Sequence, residues 1–178
     1  VLQLQHQGEV DMLEETYLKI ISAKTAELFA ASTKIGAILS NMKNKEKEAL
    51  EFYGRNLGLT FQIADDTLDY NSELKLFGKK IGQDFYEGKV TLPIILLFQK
   101  ANKEERDKLK EIFSKKVRSE NELVYTLSLI KKYNVIKGCY QKAEHYINLA
   151  SNSLSLFNDC EEKSILENLT SFSLARNF

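Results

Sequence analysis

The chain has 178 residues, and its 25 Lys and Arg are balanced by 25 Asp and Glu. A net charge of zero removes any general electrostatic case for nucleic acid or an anionic membrane, so charge-driven function must come from local clusters. This length suits one domain with a sizeable core, and residues 1–178 are read as a single helical domain.

A single proline, Pro93, and the scarcity of alternating β-branched runs favour helix almost throughout. Asp11 with Glu14 has the spacing of an N-cap and its N3 partner, and opens a helix near 12–40. Its stripe runs Tyr17, Ile21, Leu28, Ala31, Ile35 and Ile38, with a gap at position 24. Asn44, before a charged run, starts a second helix near 45–70, with Leu50, Tyr53, Leu57, Phe61, Ala64 and Leu68 on one side. Residues 71–91 carry Gly78, Gly82 and Gly88 and read as a loop or broken helix. Helices near 92–101, 103–114, 120–133, 135–157 and 160–175 follow. Asn102 with Glu105, Ser119 with Glu122 and Asp159 with Glu162 serve as capping pairs. The sixth helix repeats the pattern in Ile136, Tyr140, Ala143, Ile147, Ala150 and Leu154. Stripes about 100° wide on long helices joined by short connections describe an all-α bundle.

No apolar run reaches the ~18 residues of a membrane span. With no leader pattern at the start, the expectation is a cytoplasmic protein. The chain opens on Val1 rather than Met, which reads as the edge of a truncated or processed polypeptide. Cys139 and Cys160 form no metal-type pair and read as reduced, idle thiols. His6 and His145 read as structural or surface residues.

The chemistry concentrates in Gln62-Ile63-Ala64-Asp65-Asp66-Thr67-Leu68-Asp69. At ~100° per residue, Gln62, Asp65, Asp66 and Asp69 share one arc. Gly54 and Gly58 lie one and two turns earlier on that side, where small residues leave space before the carboxylates. Like charges one turn apart weaken a helix. A hard cation offsets them, and Mg²⁺ takes one or two carboxylates, waters and substrate phosphates. The alternative is a solvated acidic face with no ligand. Lys24 fills the gap in the first stripe, either facing inward toward an anion or snorkelling to water. Thr25 beside it offers a hydroxyl. Lys79 and Lys89, among the glycines, are phosphate-binding point charges or ordinary surface lysines.

Gly58 to Tyr70 resembles the second aspartate-rich motif of the trans-prenyl diphosphate synthases. Phe77-Gly78-Lys79, Gly82-Gln83-Asp84 and Glu87-Gly88-Lys89-Val90-Thr91-Leu92-Pro93 continue it in order and spacing. Lys24-Thr25-Ala26-Glu27-Leu28-Phe29 is similar to that family's Lys-Thr helix, and Leu169 to Arg176 resembles its terminal helix. Gln5-His6-Gln7-Gly8-Glu9 resembles the opening of octaprenyl-type members that make quinone side chains. The resemblance implies a partial isoprenoid-synthase fold that condenses isopentenyl diphosphate with an allylic diphosphate. It implies Mg²⁺ on Asp65, Asp66 and Asp69. Lys24, Lys79 and Lys89 would bind the allylic diphosphate, Thr25 and Gln62 would line the pocket, and Arg176 would meet the other diphosphate. Lys24, Asp65, Lys79 and Lys89 are the implied catalytic set.

The family's first aspartate-rich motif, its adjoining arginine pair and its early isopentenyl-diphosphate pocket lie before the matching segment. No second Asp-Asp-x-x-Asp occurs here. The expectation is therefore the carboxyl-terminal portion of a synthase, inactive alone and either a homodimer or a partner to a missing amino-terminal half. A non-catalytic remnant or regulatory subunit is the alternative. A terpene-cyclase-like domain is a third reading, disfavoured by the Gly-Lys-x-Thr-Leu-Pro run.

Overall fold

The computed structural model describes residues 8–71 and 81–175, with side chains to Ser173. Among these residues every regular element is helical. The helices are α1 (Glu14–Ile21), a π turn (Ser22–Ala26), α2 (Glu27–Leu39), α3 (Asn44–Leu68), α4 (Gln83–Glu87), α5 (Leu92–Lys100), α6 (Lys103–Ser114), α7 (Glu120–Lys132), α8 (Val135–Ser153) with a 3₁₀ turn (Leu154–Leu156), and α9 (Glu161–Ala175). The all-α expectation holds, and the long helices start and end within a few residues of where the spacing put them.

Two capping boxes are formed as read. Asn102 accepts from the Glu105 amide at 2.9 Å while Glu105 accepts from the Asn102 amide at 3.0 Å. Ser119 and Glu122 make the same exchange. The other starts slip. The Lys43 amide, not Asn44, donates to Glu46 at the head of α3. The Cys160 sulfur, not Asp159, accepts from the Lys163 amide at the head of α9. Asp11 pairs with Lys110 at 3.3 Å instead of capping α1.

The chain divides into two compact units, residues 1–20 with 65–140, and residues 21–64 with 141–178. The described core of the first is built from Tyr17, Ile20, Phe85, Leu92, Ile94, Ile95, Leu97, Leu109, Ile112 and Phe113, all buried. α5 is apolar on every side because it is covered on every side, from Leu92 to Leu97. Pro93 occupies its first turn, where a missing N–H costs nothing. The rings of Phe85 and Phe113 meet edge to face at 5.5 Å.

In the second unit, Tyr53, Leu57, Ile147, Ala150 and Leu154 form a core cluster, bordered by Phe29, Leu50, Phe157 and Leu166. The stripes of α3 and α8 therefore do pack. Phe61 departs from the expected stripe and is 38% exposed, with its ring 5.7 Å from that of Phe29.

The first helix corrects the sequence reading most. Ile21 is buried, but Leu28, Ile35 and Ile38 are 72%, 55% and 46% exposed and Ala31 is exposed. The buried positions are instead Ala26, Ala30 and Ala37. The π turn is the cause. It adds one residue to a turn, so the inward position after Ile21 falls five residues on rather than three or four. Every later residue is rotated accordingly. The small residues then let the helices come close. A Cβ on Gly54 would lie 2.3 Å from Thr33 Oγ1 and 2.5 Å from the Phe29 carbonyl oxygen, and one on Gly58 would lie 2.7 Å from Ala26 Cα. These glycines accommodate a neighbouring backbone, not open space in front of the carboxylates.

Candidate functional site

The acidic end of α3 belongs to the first unit, and its three aspartates are not equivalent. Asp65 is exposed, whereas Asp66 and Asp69 are 5% and 4% exposed. The Tyr17 hydroxyl donates to Asp66 Oδ2 at 2.8 Å. Burial, reinforced by the Asp66 charge, raises the Tyr17 pKa well above that of a free tyrosine and keeps the phenol protonated as a donor. Asp69 accepts the Gln83 amide on Oδ1 at 3.1 Å and the Asp84 amide on Oδ2 at 2.8 Å. Its carboxylate thus satisfies the first amides of α4, which have no partner within so short a helix. The motif therefore presents one exposed carboxylate, Asp65, and two buried ones, Asp66 and Asp69, held by named donors.

Lys89 follows α4 across Gly88, which takes the left-handed conformation at φ 71°. Lys89 Nζ lies 3.0 Å from Asp84 Oδ1 and 2.6 Å from Glu87 Oε2. Partial burial disfavours its charge, but hydrogen bonds to Glu87 and Asp84 outweigh this and raise its pKa above the ordinary lysine value. The ammonium is therefore a fixed cation held by acids of its own segment, not a loose surface lysine.

In the second unit, Thr25 Oγ1 donates to Gln62 Oε1 at 2.7 Å, joining two residues expected to line a pocket. Lys24 is exposed, not inward, because the π turn that contains it moves the buried position to Ala26. Lys79 and Arg176 lie outside the described residues, as do Gln5, His6, Gln7, Phe77 and Gly78.

Among the described residues, no three His, Cys, Asp or Glu side chains are grouped closely enough to hold a metal ion by themselves. The donor chemistry nonetheless suits a hard cation. An ionised carboxylate offers about four lone-pair sites. The bonds from Tyr17, Gln83 and Asp84 occupy some of those sites while fixing where the carboxylates stand. Magnesium characteristically binds through few carboxylates, its own waters and phosphate oxygens.

Two features escaped the sequence reading. Tyr17 was placed only in an apolar stripe, and no short-range spacing connects it to an aspartate 49 positions away. α4 was not singled out within a stretch read as a loop or broken helix, although left-handed glycines at 82 and 88 bracket it. Glycine just past a helix end is a usable signal.

The sequence model of the family described as Polyprenyl synthetase matches residues 1–130. Over 176 residues the chain is 35% identical to the all-trans-nonaprenyl-diphosphate synthase (geranyl-diphosphate specific) of Rhodobacter capsulatus, covering 99% of this chain and 53% of that protein. It superposes with a TM-score of 0.93 and 31% identity on the crystal structure of a decaprenyl diphosphate synthase from Rhodobacter capsulatus, covering 99% of this chain and 55% of the other. A polyprenyl synthase from Caulobacter crescentus CB15, solved in complex with calcium and isoprenyl diphosphate, gives 0.92 and 34% over 99% and 54%. The chain spans about half the length of the curated relatives it matches. Matching along its length in both sequence and backbone, the chain belongs to the polyprenyl synthetase family.

Proposed function

We propose that this chain supplies the second aspartate-rich part of a magnesium-dependent prenyltransferase centre. The reaction would condense isopentenyl diphosphate with an allylic diphosphate to a long-chain polyprenyl diphosphate, of the kind used in quinone side chains. The observation that carries the reading is the arrangement of Asp65, Asp66 and Asp69: one carboxylate open to solvent, and two fixed by O–H and N–H donors within a family sequence.

Bound magnesium would supply charge stabilisation for the departing diphosphate. Asp65 would hold the ion from the exposed side of α3, with Asp66 and Asp69 steadying it from their fixed positions. Lys89 would stabilise the negative charge that develops on the leaving diphosphate oxygens, a fixed cation needing little reorganisation as the C–O bond breaks. Lys24 and Lys79 would add to this on the allylic side, Thr25 and Gln62 would line the pocket, and Arg176 would meet the second diphosphate. Activity is proposed for this chain together with the remaining part of the family fold, as a homodimer or with a separate partner, in the cytoplasm. No described helix is long and apolar enough to cross a membrane.

A second reading, a non-catalytic helical subunit that associates with a synthase, draws support from the exposed Leu28, Ile35 and Ile38 face of α2. Large exposed apolar faces mark association surfaces. Prenyl transfer from farnesyl diphosphate and labelled isopentenyl diphosphate separates the two. The chain alone should show no transfer, and adding a polypeptide with the family's first aspartate motif should produce transfer that depends on Asp65. Association without turnover favours the subunit. Robust turnover by the chain alone contradicts the need for another part.

A further inference from the structure

Arg118 stands outside every residue considered so far, yet it is one of the few charged side chains buried in the first unit, at 7% exposure. Its guanidinium serves backbone carbonyls. Nη2 donates to the Phe113 carbonyl at 2.7 Å, Nη1 donates to the Tyr86 carbonyl at 3.3 Å, and the group lies 5.2 Å above the Phe113 ring. Its Nε is buried without a hydrogen-bond partner. Burying a cation is costly, and the hydrogen bonds of this one go to neutral carbonyls, so its position calls for a reason.

The reason lies in what it touches. Tyr86 is in the last turn of α4, and its carbonyl is among the end groups that a short helix cannot satisfy itself. Gly88 follows, and a Cβ there would sit 2.6 Å from Arg118 Nη2. The guanidinium therefore sits directly against the turn that leads into Lys89. Gly8 also holds this turn, its amide donating to the Gly88 carbonyl at 3.0 Å. Asp69 holds the amino end of α4, and Arg118 holds the carboxyl end. Between them sit Asp84 and Glu87, the two acids that face the Lys89 ammonium.

We infer that Arg118 is a positioning residue for Lys89: it locks the end of α4 and the Gly88 turn, and so sets where the Lys89 ammonium stands. The inference rests on the proposed role of Lys89, but the geometry can be tested without it.

The test is site-resolved acylation of the folded chain with an acetylating reagent, read by mass spectrometry at Lys89 and at two exposed references, Lys103 and Lys137. Arg118→Met removes the guanidinium while keeping bulk, and Arg118→Lys restores a charge without the fork. Gly88→Ala disturbs the same contact while leaving Arg118 in place. Lys89 should acylate at least about threefold faster in Arg118→Met, the effect of losing half a pKa unit of protection. Its pH profile should move to lower pH, the references should be unchanged, and Arg118→Lys should fall between. Gly88→Ala should act in the same direction. An unchanged Lys89 rate in either folded variant overturns the inference. So does an equal rise at all three lysines in both Arg118→Met and Gly88→Ala, because Arg118 would then support the whole unit and not this ammonium. A calorimetric titration with magnesium pyrophosphate separates the two layers. No binding by the unaltered chain would count against the proposed function alone, with acylation still deciding the role of Arg118.

Discussion

The unit containing residues 65–140 buries charge: Asp66, Asp69, Glu105 and Arg118 lie inside it, each hydrogen-bonded to a named donor or carbonyl. The unit containing residues 21–64 buries polar side chains too, but those described are neutral, Asn56, Thr60, Gln62 and Thr170. It gains its density from glycine and alanine at a close helix crossing. The contrast separates two ways of fixing a site. Charged hydrogen bonds hold side chains at chosen points and make the structure sensitive to pH. Small residues hold backbones together and make it sensitive to a single added methyl.

The largest effect should come from the second unit. Gly54→Ala places a Cβ against Thr33 Oγ1 and the Phe29 carbonyl, well inside contact distance. Overpacking of this kind should cost about 3 kcal/mol, read as a lowered midpoint in urea. A smaller loss, about 1.5–2 kcal/mol, is expected for Tyr17→Phe, which removes the O–H donor to a buried carboxylate and little else. If Gly54→Ala proves the milder change, the division between the units is wrong.

Acid should sharpen the contrast further. Glu105 is pushed down to about 2 by hydrogen bonds from Lys132 and Tyr133 and from the Asn102 amide, and Glu122 to about 2 by Lys115 and the Ser119 amide. Both lie in the first unit. Their unfolded value is about 4.3. Their contribution is therefore fully present above that pH and is lost as pH falls through about 2. Amide hydrogen exchange across this window should show α6 and α7 losing protection, and Glu105→Gln should flatten the response.

The smallest effect reverses sign. A Cβ on Gly36 meets nothing within 4 Å. Gly36→Ala in the interior of α2 should therefore stabilise by about 0.8 kcal/mol from helix propensity. Thiol chemistry offers a further check: burial pushes the Cys139 thiol up to about 12, while Cys160 is exposed. A disulfide reagent should titrate one thiol in the folded chain and two in denaturant.

Much of this was legible in the sequence because it is local. The capping boxes at Asn102 and Ser119 depend on residues three apart and form as read, and the stripes of α3 and α8 pack at Tyr53, Leu57, Ile147, Ala150 and Leu154, while Phe61 is exposed and Ile136 and Tyr140 are half-buried. The carboxylates of Asp65, Asp66 and Asp69 were visible for the same reason. What failed was periodicity carried across an irregularity: a single π turn at Ser22–Ala26 rotated the rest of its helix and turned Lys24 outward. The partners of the carboxylates were equally hidden. Tyr17 and the Gln83 and Asp84 amides reach Asp66 and Asp69 from distant or irregular segments, and no sequence period encodes such meetings.

One measurement tests the central claim most directly: calorimetric titration of pyrophosphate into the chain, with and without Mg²⁺, for the native sequence and for Asp65→Asn. Binding should require Mg²⁺ and weaken at least about tenfold in Asp65→Asn, the loss of roughly 1.4 kcal/mol that one ion contact can supply. Equal affinity without the metal, or an unchanged affinity in the variant, would contradict the assignment of this helix end to a magnesium diphosphate.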